Sequence, residues 1–218
     1  PLTAGRDIFS NAFLTANGAL TLDAGRNLTI TGFISAPASL DLFARTGDVV
    51  VSGGSLNGQD GPLNVTAGGS ISIDAFVQAF QGITLTAQAG DVILGPNAAL
   101  IDATGGAGIS IAAGNRIAIG GGSDPIGSAI QTFEVLDLQA GLGGITQTAP
   151  ILAGTLQVRT PGDAILDLPN TGGATGPNRV GTLGPSDVGG NLVLSSTEVS
   201  DVNQPLTVSG LVQVGGRL

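Results

Sequence analysis

The chain contains no cysteine, histidine, lysine, methionine, tryptophan or tyrosine. Without cysteine there is no disulfide scaffold and no thiolate metal site. Without cysteine and histidine, the nucleophile–imidazole systems of acyl-transfer enzymes cannot be assembled, and zinc lacks its usual ligands. Without lysine there is no phosphate-binding P-loop, and no Gly-x-Gly-x-x-Gly occurs among the 37 glycines. The cations are seven arginines, set against 16 acids for a net charge of −9. A nucleic-acid partner needs a basic face to neutralise phosphates, so none is expected. Anionic membrane surfaces are disfavoured in the same way. No apolar run approaches the ~18 residues needed to cross a bilayer, so membrane insertion is not expected. Glutamate occurs only at Glu134 and Glu198. Of the strong helix formers only alanine is common, which argues against helices.

What is present is glycine, Asp, Asn, Thr and aliphatic residues, with 42% of the chain hydrophobic. That is enough apolar material for a continuous core, unlike a disordered chain. The residues fall into a repeat: an apolar-polar-apolar triplet, a small-residue turn, and a second triplet. Leu20-Thr21-Leu22 leads to Leu28-Thr29-Ile30, Leu40-Asp41-Leu42 to Val49-Val50-Val51, and Leu63-Asn64-Val65 to Ile71-Ser72-Ile73. Ile83-Thr84-Leu85 leads to Val92-Ile93-Leu94, and Ile109-Ser110-Ile111 to Ile117-Ala118-Ile119. First-strand positions at 2, 20, 40, 63, 83, 109, 136, 156, 192 and 212 are spaced mostly at 20 residues or a little more.

Strands this short bury too little area alone. Stacked on equivalents above and below, they share one core. With third strands such as Phe33-Ile34-Ser35 and Ala99-Leu100-Ile101, the pattern predicts an all-β, three-walled parallel β-helix of about ten coils. At ~4.8 Å per rung it would be a rod of ~45–50 Å. Residues 1–218 are expected to form a single solenoid segment of a longer chain or fibre, because Pro1 is not an initiator and Arg217-Leu218 stops in mid-repeat. The Gly/Pro/Thr-rich stretch within 169–190 is expected to be a loop insertion. Gly-Asp pairs at 47–48, 90–91 and 162–163 read as tight corners, with Gly supplying the turn and Asp accepting backbone N–H groups nearby.

Segments such as Ala19-Leu20-Thr21-Leu22-Asp23-Ala24-Gly25-Arg26-Asn27-Leu28 and Gly82-Ile83-Thr84-Leu85-Thr86-Ala87-Gln88-Ala89-Gly90-Asp91-Val92 resemble the repeats of filamentous-haemagglutinin-type exoproteins. Gly144-Ile145-Thr146-Gln147-Thr148 and Gly181-Thr182-Leu183-Gly184 are similar to motifs in the same family. The likeness covers nearly the whole chain. It implies a right-handed β-helical shaft of a secreted or surface-attached bacterial protein, exported by two-partner secretion and serving adhesion, biofilm formation or an extracellular fibre. The family's secretion-domain signature of the Asn-Pro-Asn type is not in this stretch, which looks like shaft. Its partners would be neighbouring coils, copies of the same protein stacked end to end, and host-cell or matrix glycans or proteins.

No catalytic, cofactor-binding or metal-binding residue is assigned, and the chain is not expected to be an enzyme. The rival is a glycan-active β-helix enzyme, which needs a close pair of carboxylates. Its candidates are Asp23, Asp41 and Asp137, of which Asp41 and Asp137 share a position four turns apart. An ice- or surface-binding solenoid would instead need ranked threonines. Thr29/Thr31, Thr84/Thr86 and Thr146/Thr148 fall on different strands of the repeat. The stretch Gly53–Gly61 departs from the calcium-roll nonapeptide and reads as a loop insertion, as Gly120–Pro125 reads as a turn. The seven phenylalanines are expected mostly to stack inward, with Phe76 and Phe80 as partly exposed candidates. The sequons at Asn27 and Asn64 read as chance.

Overall fold

A computed structural model describes residues 1–103, 106–121, 129–168, 178–196 and 206–218. Among them every regular element is a β-strand, and every strand pairing is parallel. The chain winds as a β-solenoid with three walls. The first wall holds Leu2–Ala4, Leu20–Ala24, Leu40–Ala44, Leu63–Ala67, Ile83–Ala87 and Ile109–Ala113. It continues through the second halves of Ile130–Gln139 and Ile151–Thr160, then Ser186–Val188 and Val212–Val214. The second wall runs from Ile8–Ser10 to Leu192–Leu194, and the third from Leu14–Thr15 to the first half of Arg179–Leu183. Each return to a wall is a parallel crossover, a connection that is right-handed in nearly all sheets.

Period-2 alternation decides which side chains enter the lumen. Ile71–Ala79 shows it over nine residues: every odd position is buried and every even one is partly exposed. The core is aliphatic. Leu22, Leu42, Val65, Leu85 and Ile111 lie in register on successive rungs, each fully or almost fully buried. At the end of each of these strands stands an alanine, and Ala24, Ala44, Ala67, Ala87 and Ala113 also stack in register. There the first wall turns toward the second. The lumen narrows at that corner, and a longer side chain would overpack it.

The β-helix expected from the repeat is what the chain forms, with two corrections. Ten first-wall strands are joined by nine steps and nine second-wall strands by eight, so the stack rises through about eight to nine turns, ~38–43 Å, slightly fewer than the ten coils expected. Leu192-Val193-Leu194 is not a first-wall strand. It stacks on Ala164–Leu166 of the second wall, while Leu183 follows Leu156 on the first. The first-wall level in between is written Thr182-Leu183-Gly184-Pro185-Ser186-Asp187-Val188, which lacks the apolar triplet and so hides from pattern reading. Of the expected insertion within 169–190, residues 169–177 lie outside the described residues, and 178–190 run along the walls.

The phenylalanines are a further correction, since none of the seven is buried. Phe9, Phe13 and Phe133 are largely exposed. Phe13 and Phe33 stack on each other outside the lumen, ring centroids 4.4 Å apart. The inward positions are taken mainly by Leu, Ile, Val and Ala, and the phenyl rings lie outside them. The stretch Gly53–Gly61 is also not a loop insertion over its first half. Residues 49–58 are one strand that bends from the second wall to the third at Gly53 and Gly54, both at positive φ. Of the turn expected at Gly120–Pro125, residues 122–128 lie outside the described residues.

Candidate functional site

The corner between first and second walls is two to four residues long at each level, and a ladder of polar side chains runs along it. Asp7 Oδ1 accepts the backbone N–H of Asn27 (3.1 Å), and Asn27 Oδ1 accepts that of Asp48 (3.1 Å). Asp48 Oδ1 accepts from Ser70 N (2.7 Å), Ser70 Oγ from Asp91 N (3.1 Å), and Asp91 Oδ1 from Asn115 Nδ2 (2.7 Å). The ladder resumes with Asp163 accepting Asn191 N (2.7 Å) and Asn191 accepting Arg217 N (2.9 Å). The Gly-Asp corners therefore do not cap their own turns, as the sequence suggested. Asp48 and Asp163 cap a backbone N–H of the next coil, and Asp91 takes that coil's Asn115 side-chain amide, because stacking brings these donors within reach.

The ladder breaks at one level, Gly141-Leu142-Gly143-Gly144, where no carboxylate or amide side chain is present. Leu142 is exposed there, and the Gly144 N–H turns back to the Gly141 carbonyl (3.1 Å). Amide exchange in Gly143–Gly144 is expected to run at least tenfold faster than at Asp48, Ser70 and Asp91. Equal protection by hydrogen–deuterium exchange would show that the side-chain caps contribute nothing.

Four arginines reach back one coil to an aspartate: Arg26 to Asp7, Arg45 to Asp23, Arg116 to Asp91 and Arg159 to Asp137. The first two are bidentate. The Arg26 guanidinium, then the Asn27 N–H, hold the Asp7 carboxyl far below its ordinary value; Arg45 lowers that of Asp23. Depressed carboxylate values stabilise the fold above the unfolded-chain value of about 3.9, and that contribution disappears as pH falls below it toward the folded-state values. All these groups are solvated, so salt screens the effect. Acid-induced opening of the first two coils is accordingly expected below pH 4, earlier in 0.5 M salt than in 10 mM. Circular dichroism and limited proteolysis across that range check it, and a transition indifferent to R26Q and R45Q would count against it.

On the first wall one outward column reads Thr21, Asp41, Asn64, Thr84, Ser110, Asp137, Gln157 on successive rungs. Asp41 and Asp137 are thus four rungs apart, ~19 Å. Asp23 and Asp41, by contrast, are diagonal neighbours on adjacent rungs, ~7–8 Å apart in such a ladder. Sequence reading missed this pair, since it compared carboxylates in one column only. Both members are engaged: Asp23 with Arg45, and Asp41 with the Asn64 amide (2.8 Å) and Ser39 hydroxyl (3.0 Å). Thr29 lies between Phe9 and Val50, and Thr146 between Ala118 and Ile165. Thr84 and Thr86 stack on Asn64 and Thr66 of the first wall. Four stacked Thr-x-Thr rows do not form among the described residues.

Two buried polar groups were not singled out from the sequence. Asp102 replaces an alanine in the inward column of the third wall and accepts from Gly108 N and the Thr132 hydroxyl, both at 3.2 Å. Gln147 and Asn178, both buried, join amide to amide between successive coils. The readable signal was register: Gln147 stands two residues after the inward Ile145, where the repeat demands an apolar side chain. Among the described residues, no group of three or more metal-ligating side chains occurs. Among the same residues, no helix is long and apolar enough to cross a membrane. Compared with family models, curated proteins and solved structures, the chain finds no match.

Proposed function

We propose that this chain is the shaft of a secreted or cell-surface bacterial filament, with a structural and adhesive role and no catalysis. The observation that carries the reading is how the polar side chains are used. Aspartates, asparagines and arginines on the corner and first wall bond from one coil to the next, so they hold the stack together rather than converging on a reacting point. The family resemblance of the repeats supports the same reading and adds export by two-partner secretion. Its partners are the rungs above and below, copies stacked on its ends, and glycans or proteins of the surface to which the filament adheres. Negative-stain microscopy of the native material should show thin rods, and beads coated with the chain should be retained on cells or matrix. Globular particles and no retention would overturn the proposal.

One observation favours a second reading. The diagonal spacing of Asp23 and Asp41 falls in the ~5–9.5 Å range of glycosidase carboxylate pairs. A reducing-end assay on a panel of polysaccharides decides between the two. Turnover abolished by D41N would establish the enzyme, and none would leave the shaft.

A further inference from the structure

Beside the polar column of the first wall lies a groove of about 280 Å³. It opens where the third wall turns into the first. Two successive corners there are trimmed to glycine, Gly82 and Gly108, both at positive φ, while Pro62 and Val135 stand at the levels on either side. The polar side chains that line it are Gln81, Thr84, Ser110, Asp137 and Gln157.

The chemistry of the lining is selective. Thr84 and Ser110 each donate and accept, as does the Gln157 amide. Gln81 spends one donor on the Asp60 carbonyl (2.6 Å) and keeps its Oε1 as an acceptor. Asp137 gives its Oδ2 to Arg159, which balances its charge, and keeps a buried Oδ1 without a partner as an acceptor. An anionic ligand would meet a protein of net charge −9 and no unpaired cation in the lining. A cationic ligand would find the charge of its one carboxylate already balanced by Arg159. Hydroxyls, which donate and accept equally, match the lining best. Thr84, Ser110, Asp137 and Gln157 recur at the ~4.8 Å rung spacing, close to the length of one sugar unit in an extended chain. The volume is at the small end for ligand sites and suits a short segment of such a chain.

The geometry points to a binding site for a neutral glycan, lying along the first wall between Gln81 and Gln157. This inference rests on the adhesive reading and names the ligand class of that surface. Asp137 is the carboxylate in the lining and Asp41 of the same column lies ~19 Å away, too far for the paired-carboxylate chemistry, so the groove holds its ligand without cleaving it.

The test is an array of immobilised neutral glycans, with heparin and polygalacturonate as anionic probes, followed by titration calorimetry on the best neutral oligosaccharide. Saturable binding to a neutral glycan is expected, weakened at least tenfold by T84K, S110K and Q157A. T21K, in the same column outside the groove, should bind as the unaltered chain does. Matching melting curves keep the comparison free of folding defects. Absence of any neutral ligand, preference for the anionic probes, or binding untouched by the three groove variants would overturn the site. A rod that adheres to cells yet ignores neutral glycans would end this inference and leave the shaft standing.

Discussion

Asn178→Ala is expected to lower stability by about 3 kcal/mol or more, an effect comparable to losing a large core side chain. Asn178 is completely buried. Its Oδ1 accepts from Gln147 Nε2 (2.6 Å) and from the Ile151 N–H (3.0 Å), and its Nδ2 donates to Gln147 Oε1 (3.1 Å) and the Leu166 carbonyl (2.9 Å). Truncation orphans the Ile151 N–H and much of the Gln147 amide at once, while the Leu166 carbonyl keeps only the Ser195 N–H. Each unsatisfied buried group costs about 1–3 kcal/mol. Asn178→Leu restores volume without restoring a single hydrogen bond, so it should be nearly as damaging. Urea denaturation followed by circular dichroism makes the comparison. If the leucine variant unfolds within about 1 kcal/mol of the unaltered chain, the amide pair is not what holds this level.

Gly108→Ala is expected to cost at least as much, and Gly18→Ala almost nothing. Gly108 sits at φ +84°, a region that costs an L-residue about 1–2 kcal/mol. A Cβ there would also press into the Val135 backbone of the next coil, which cannot swing aside as a side chain could. The strain would fall on the rung interface, and in a stack each interface is shared by two coils. Gly18 has no positive φ and nothing within 4 Å of a built Cβ. Replacing it even removes some unfolded-state freedom. Thermal melts of the two variants should differ by many degrees. Similar melting points would mean that glycine at position 108 is incidental.

Much of the fold was legible along the chain. Leu20-Thr21-Leu22 and Ile83-Thr84-Leu85 announce strands with one buried face, and their recurrence announces stacking, because a three-residue apolar stripe has no other way to be covered. The absence of Lys, His and Cys removed whole classes of chemistry before any coordinates were needed. The level at 182–188 was not legible, since Pro185 and Ser186 stand where the repeat would put an apolar triplet; only its neighbours above and below make it a wall. The Asp23–Asp41 pair was hidden for a related reason. Its members are 18 residues apart, and whether they meet depends on register between coils, which a shift of two residues changes.

The candidate groove shows the same division. Thr84, Ser110, Asp137 and Gln157 are outward residues on any reading of the alternation. That they form one column beside two trimmed corners follows from how corners of unequal length bring the walls back into line. By itself the sequence determined the kind of object: parallel strands, an aliphatic lumen and a charge balance hostile to nucleic acid, because these follow from local periodicity and composition. Only the tertiary structure decided which rung lies on which, that the corner aspartates bond to the following coil rather than their own, and that Gln147 meets Asn178. Those contacts join residues about 20 to 30 positions apart, and their distances are set by the stack and not by the chain between them.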